Sequence, residues 1–402
     1  MKIAMISKAD SSGGGASKVA TQLTQLLRNE KINVDHFTRS VSTSTDTIPL
    51  YTDFEKKIYH RLLDLGVQEY FPFERKVLKK YDALKHYDIF HFHDITSAVS
   101  PLTLKYLSDQ GKKIVWTIHD CSVFTGGCIN PLECRQYLSL CKRCPQLNSF
   151  GLGRNLDFTS IFHRIKKYVL QNSNIHFVAP SKWIADMAYE TGYLQEYPTI
   201  IHNGIDTDVF KPHNKKALRE ELKLPQERFI ILFSAATLAN PYKGFQEALL
   251  VLKKLQNVHP FLLFVGKDEQ ALQKYLKNFD FLSTGYIQDS YLLNKYYASA
   301  DIYLNTTLAD NFPLTALEVM ASGTPNFGFE TGGMKEMVTN NFNGFLVKYD
   351  KRHILADQII QYSKEQNNQL FEMNTANTMK KHFSLIALVE KYKNLYTKIL
   401  TQ

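Results

Sequence analysis

No run of apolar residues in this 402-residue chain approaches the roughly 18 needed to cross a bilayer as a helix. The opening MKIAMISKAD has an apolar core of only Ile3 to Ile6, so it is expected to form a short strand and not a signal peptide. A cytoplasmic protein is therefore expected. Cysteine is missing before Cys121 and after Cys144, as suits a reducing compartment. The composition of long disorder is missing too: 44% hydrophobic and 22% charged residues are ordinary for a globular chain. Nor is charge of one sign packed into an arm. Lysine plus arginine (48) against aspartate plus glutamate (39) leaves +9, spread along the chain. Of the partners such a charge suggests, phosphorylated substrates and an anionic membrane surface come before nucleic acid, for which no module signature is present. No nucleic acid is expected.

What is present is a β/α alternation over most of the chain. Strands are expected at Lys2–Ser7, Asp88–His93, Lys113–His119, His176–Ala179 and Thr199–His202, with helical periodicity at 16–28, 102–108, 161–171 and 182–190. Val19, Ala20, Leu23, Leu26 and Leu27 mark the buried stripe of the first helix. A lysine-rich connection at 211–228 leads into a second series. Its strands are expected at Phe229–Ala235, Phe261–Val265, Phe281–Gly285 and Asp301–Asn305, its helices at 246–255, 270–276 and 290–298. After Val347 the pattern is helical, ending with a helix over 385–400. Alternation of this kind predicts α/β architecture with parallel sheets.

The most informative stretch is ADIYLNTTLADNFPLTALEVMASGTPNFGFETGGMKEMVTNNFNGFLV, Ala300 to Val347. It reads as a buried strand, a polar loop, a helix over 313–321, a turn at Gly323-Thr324-Pro325, a short strand, and Thr331-Gly332-Gly333 opening another helix. Asp310 precedes the first helix and Glu318 lies inside it, eight positions on. Two carboxylates at the loop end of a strand stand where open α/β sheets bind ligands. The plain alternative is a helix-capping Asp310 and a solvated Glu318.

This block resembles the signature of family 4 of the retaining glycosyltransferases, enzymes of the GT-B fold with two Rossmann-like domains facing across a cleft. The Asp-Asn-Phe-Pro version is similar to a subgroup found in capsule and exopolysaccharide assembly. The resemblance implies that Glu318 holds the ribose of a nucleotide-sugar donor and that Asp310, where the family usually has Glu, faces the sugar. It implies domains at 1–205 and 206–384, with 385–402 crossing back to the first. Lys243-Gly244 resembles the diphosphate-binding lysine; the arginine usually found before it is replaced by Ala235, Ala236 and Thr237. Gly332 and Gly333 would offer backbone amides to the leaving diphosphate. The turn Asp10-Ser-Ser-Gly-Gly-Gly15 is not GxGxxG, and a tight turn without ligand is its plain reading. By resemblance Gly14 and Gly15 lie near donor and acceptor. His119, in Thr117-Ile-His-Asp120, is similar to a histidine contacting the transferred sugar, whereas His93 reads as a core residue.

Four cysteines follow the spacing C-x5-C-x6-C-x2-C: Cys128, Cys134, Cys141 and Cys144. A structural zinc is the first reading of four thiolates with one knuckle-like pair; free thiols and disulfides stay open. The basic, aromatic stretch Phe54 to Tyr87 reads either as a patch for anionic membrane or as helices with core aromatics and solvated lysines. Asp206-Thr-Asp208 matches a metal-binding DxD by spacing, but Asn203-Gly-Ile-Asp206 resembles the turn closing the first domain. No cofactor is expected for catalysis. The expected reaction moves a sugar with retention from a nucleotide-sugar to a saccharide, lipid-linked, in bacterial capsule, exopolysaccharide or lipopolysaccharide assembly, peripheral to the inner face of the plasma membrane. The alternatives are a UDP-sugar epimerase of GT-B fold and a non-catalytic nucleotide-sugar-binding partner subunit.

Overall fold

The structure is a computed structural model describing all residues except 41–45, 65–66, 94, 96–97, 149–151, 153–155, 238–239, 268 and 366–368. The chain divides into two compact units, Met1–His202 with Leu388–Gln402, and Asn203–Ala387. Each is a parallel α/β sheet.

In the first unit the strands are β1 (Lys2–Ala9), β2 (Asn33–Ser40), β3 (Thr47–Pro49), β4 (Ile89–Phe92), β5 (Lys113–Thr117), β6 (Ile175–Ala179) and β7 (Thr199–Ile200), ordered β3-β2-β1-β4-β5-β6-β7. The chain leaves β1 for β2 on one side and later returns to β4 on the other. The switch point of this sheet, where the crevice for a ligand forms, lies between β1 and β4. The helix Gly15–Asn29 buries Val19, Ala20, Leu23 and Leu27, while Leu26 is only half-buried. Strands β2 and β3 have no counterpart among the strands expected from sequence. The reason is polarity: in NVDHFTRS, Asp35 accepts from the Tyr87 hydroxyl at 2.6 Å and His36 bonds the Ser7 hydroxyl at 2.8 Å. Polar side chains that find partners on neighbouring elements can be buried as apolar ones are.

The second unit holds β8 (Ile230–Ser234), β9 (Phe261–Val265), β10 (Asp280–Ser283), β11 (Ile302–Asn305), β12 (Asn326–Phe329) and β13 (Gly344–Val347), ordered β10-β9-β8-β11-β12-β13. Its switch point lies between β8 and β11. The final helix, Leu385–Thr401, joins the first unit from Leu388 onward. There the Tyr396 hydroxyl bonds His91 Nδ1 at 2.7 Å and the Tyr392 hydroxyl bonds Thr117 Oγ1 at 2.9 Å.

One residue of the second sheet is costly where it stands. Asn326 is fully buried, and among the described residues neither its Oδ1 nor its Nδ2 has a hydrogen-bond partner. An unsatisfied buried amide costs about 1–3 kcal/mol. Asn326→Leu, close in shape, is expected to raise the denaturation midpoint; a lower midpoint would show that the amide is satisfied in solution, for instance by water.

Candidate active site

Around the switch point of the second unit, three loops are stitched together by backbone. Pro241–Lys243 forms a single tight turn after β8, held by Asn240 Oδ1 accepting from Tyr242 N at 3.0 Å. Gly244 then takes a left-handed conformation (φ 65°), and any Cβ there would overlap the Thr306 carbonyl. The Thr306 hydroxyl donates to Gly244 O at 2.9 Å, and Leu308 N donates to Tyr242 O at 2.7 Å. The turn carrying Lys243 is thus fixed on the segment that leaves β11. Asp310 lies on that segment, and Lys243 Nζ stands 2.7 Å from its Oδ2, each side chain about a quarter exposed (25% and 27%). Lys243 is an ion-paired residue, not a solvated loop lysine.

The third loop closes from the other side. Gly332 is also left-handed (φ 57°), and a Cβ would overlap the Asp310 carbonyl. Gly333 N donates to Asn311 O at 2.6 Å. In this structure the Gly333 amide serves to hold the loops together. The helix that Gly333 opens is a single turn, Met334–Met337.

Glu318 lies on the helix Leu314–Ala321 and is 5% exposed. Pro313 occupies the cap of that helix and no side chain caps it. Both plain alternatives therefore fail, because Asp310 caps nothing here and Glu318 is not solvated. The two carboxylates share surroundings: burial and then the charges of Asp310 and Glu318 push the Tyr303 phenol up. Burial and then Glu318 do the same to Tyr297, whose hydroxyl bonds Ser234 at 3.1 Å. Asn203 Nδ2 donates to Phe312 O at 3.0 Å, anchoring the Asn-Gly-Ile-Asp turn to the Asp310 loop. Asp206 Oδ1 accepts from Asp208 N and Val209 N at 3.0 and 3.2 Å, so this carboxylate braces its own turn.

No arginine stands after β8, but sequence reasoning missed another cation beside the same loop. Lys267, just past the end of β9, donates its backbone N–H to Ala236 O at 3.4 Å and places its ammonium over the Tyr286 ring at 5.6 Å. Its signal was the left-handed Gly266, whose Cβ would overlap Ala235 O.

The first unit gathers a second set. Asp10 Oδ1 accepts from Ser12 N at 3.1 Å, bracing the turn before Gly14. Gly14 (φ 95°) begins the helix Gly15–Asn29 with no side chain capping it, and both glycines are exposed. His119 lies two residues past β5 and is half-buried. Its Nε2 stands 2.9 Å from Nδ1 of His93, which is fully buried. Asp120, its sequence neighbour, instead accepts from Ser122 N at 2.8 Å. Burial pushes His119 down to about 4 and His91 to about 3, and burial, then the neighbouring His91 and His119, hold His93 well below the usual histidine range. At neutral pH all three are uncharged, so His119 can only donate or accept a hydrogen bond.

These depressed values link to stability. The unfolded chain binds protons on these histidines below about 6.5, whereas the folded chain does not until near 4 or lower. Their contribution is therefore complete above 6.5 and lost as pH falls toward 4. Urea midpoints measured from pH 7 to 4.5 should fall steeply. His91→Gln should flatten the fall; an unchanged slope would contradict the assignment.

Cys128, Cys134, Cys141 and Cys144 all line one small cavity in the first unit, and Cys121 is buried in the core apart from them. Burial first, then neighbouring thiols, pushes Cys128 up to about 12 and Cys141 to about 11.

Comparison with known proteins bears on these two sets of residues. Residues 13–209 match the family model described as Glycosyltransferase Family 4, and residues 214–382 match that described as Glycosyl transferases group 1. The chain is similar to the N-acetyl-alpha-D-glucosaminyl L-malate synthase of Bacillus anthracis, 21% identical over 96% of this chain and 94% of that one. It is 26% identical to the glycogen synthase of Nitrosomonas europaea over 63% of this chain, spanning little more than half (56%) of that relative. Among solved structures, sucrose-phosphate synthase from Thermosynechococcus elongatus superposes with a TM-score of 0.72 at 21% identity, covering 100% of this chain and 99% of that one. Anabaena HepE in complex with UDP-glucose gives 0.67 at 16% identity, covering 99% and 100%. The structural likenesses show the fold: two Rossmann-like parallel α/β units of the kind that make up GT-B proteins.

Proposed function

Because residues 13–209 and 214–382 match the models described as Glycosyltransferase Family 4 and Glycosyl transferases group 1, we propose that the chain is a group 1 glycosyltransferase that moves a hexose, with retention of anomeric configuration, from a nucleotide-sugar to a lipid-linked saccharide in bacterial capsule, exopolysaccharide or lipopolysaccharide assembly. The observation that carries this reading is the Lys243–Asp310 ion pair beside buried Glu318, at the carboxyl ends of β8 and β11. Glu318 accepts the ribose hydroxyls. Lys243 and Lys267 meet the diphosphate, Lys267 standing in for the absent arginine, and Asp310 faces the sugar near the carbon where positive charge develops. His119, neutral, hydrogen-bonds a sugar hydroxyl, and the amides around Gly14 and Gly15 serve the anionic side of donor or acceptor. The leaving diphosphate takes the acceptor proton, so no side-chain nucleophile is required. Transfer is expected to need no catalytic divalent metal, because the Asp206-Thr-Asp208 spacing falls in a turn that Asp206 Oδ1 braces by accepting from Asp208 N and Val209 N. Epimerisation is disfavoured: the family models and the named relatives are transferases and synthases.

The test is a panel of UDP-, GDP-, ADP- and dTDP-sugars. One base should bind, and nucleoside diphosphate should be released only when a saccharide acceptor is added, with no gain from added Mg²⁺ or Mn²⁺. Binding without release under any acceptor would instead support a non-catalytic partner subunit, and release that depends on metal would remove the metal-free mechanism.

A lipid-linked acceptor requires a membrane surface. Among the described residues no helix is long and apolar enough to cross a membrane. In the basic aromatic stretch, whose residues 65–66 lie outside the described residues, Tyr59 and Tyr87 are core (2% and 4% exposed). Phe54 and Phe71 are exposed (72% and 41%), with Lys76, Lys79 and Lys80 exposed on the helix Arg75–Lys80. Binding to anionic vesicles should weaken with salt and with Lys76→Glu, Lys79→Glu and Lys80→Glu combined, by about 1 kcal/mol per lysine. Equal binding to neutral vesicles would contradict a charged docking face.

A further inference from the structure

The cysteine loop of the first unit has a geometry that glycosyl transfer does not call for. Between Cys121 and Leu147 the backbone forms only two short turns, Cys121–Val123 and Gln136–Leu138, yet its thiols converge. Cys128, Cys134, Cys141 and Cys144 line a cavity of about 20 Å³, space for one water or one ion. Gly126 N donates to Cys141 Sγ at 3.3 Å. That approach needs a glycine, because a Cβ at 126 would press on Cys141 Cβ at 3.0 Å and collide with Thr159.

The Cys141-Lys-Arg-Cys144 turn is held in an unusual form. Arg143 is left-handed (φ 46°), a conformation a side-chain-bearing residue keeps only where its surroundings impose it. Both ends of the turn are pinned: Cys141 N donates to His163 Nδ1 at 3.2 Å, and Cys144 N to Asp157 Oδ2 at 2.9 Å. None of the five cysteines is in a disulfide. Among the described residues no three metal-ligating groups stand at closed ligand spacing, so the sulfurs must turn inward to share an ion.

We infer that Cys128, Cys134, Cys141 and Cys144 close around one zinc ion as a tetrahedral, purely structural site. A set of four thiolates selects zinc over harder cations, and the ion supplies the cross-link that a loop without strands or long helices lacks.

The full-length chain, purified without added zinc, should carry about one zinc per chain by elemental analysis. Four of its five cysteines should resist a thiol reagent until a chelator is added. Cobalt exchanged into the site should show thiolate-to-metal absorption. Cys134→Ser and Cys144→Ser should each lower metal content about tenfold or more. If those variants fold poorly, the cobalt spectrum of the unaltered chain decides. A folded, metal-free protein whose thiols react at once, or a mass showing disulfides, would overturn the inference. None of these readouts depends on sugar transfer, so they stand or fall apart from the proposed reaction.

Discussion

Gly332→Ala is expected to abolish transfer and to destabilise the second unit by more than about 3 kcal/mol, the range reached when a special backbone position is lost. Two penalties add. A left-handed alanine costs about 1–2 kcal/mol anywhere, and here its Cβ also overlaps the Asp310 carbonyl. The backbone must then separate, drawing Asp310 from Lys243 and Asn311 O from Gly333 N. A shift of about 1 Å at a reacting centre costs about a hundredfold in rate. Gly192 supplies an internal control: it is left-handed too (φ 67°), but its Cβ would meet nothing within 4 Å. Gly192→Ala should cost only the conformational part and leave transfer intact. Urea denaturation with single-turnover rates checks both; equal costs, with transfer retained in Gly332→Ala, would show that the stitched loops are not needed.

The second large effect separates the two carboxylates. Glu318→Gln should weaken donor and released nucleotide alike by about 1–3 kcal/mol, the worth of a hydrogen bond to a charged group. Asp310→Asn should act in the opposite direction on nucleotide. A diphosphate must share or take Lys243 from Asp310, so removing that charge leaves the lysine to the ligand. With both side chains a quarter exposed, the gain is limited to about 1 kcal/mol, roughly fivefold in affinity. Transfer should nevertheless fall about 10²–10³-fold, because the group facing the developing charge is gone. Calorimetric titration with nucleoside diphosphate beside single-turnover rates measures the pair. If Asp310→Asn loses nucleotide as badly as Glu318→Gln, the carboxylates do not have separate roles.

Much of this was legible because apolar periodicity and turn chemistry are local. The helix Lys182–Glu190 and the strand Phe261–Val265 have the bounds their patterns predict. Gly244 and Gly332, each in a turn visible in the sequence, stand at positions where a Cβ cannot fit. What a single chain could not announce were partners distant in sequence. Strand β2 was hidden because Asp35 and His36 are satisfied by Tyr87 and Ser7. The His93–His119 pair joins the ends of different strands. The ion pair of Lys243 with Asp310 crosses 67 positions, and it is the reason Asp310→Asn is expected to raise nucleotide affinity.

The central claim is that the second unit holds a nucleotide-sugar whose sugar the chain transfers with its configuration kept. Proton NMR of the reaction with the bound donor and a saccharide acceptor tests it most directly. The account predicts a new glycoside whose anomeric coupling matches that of the donor sugar, appearing in step with nucleoside diphosphate. An inverted anomeric signal, or an epimerised sugar formed without acceptor, would contradict it.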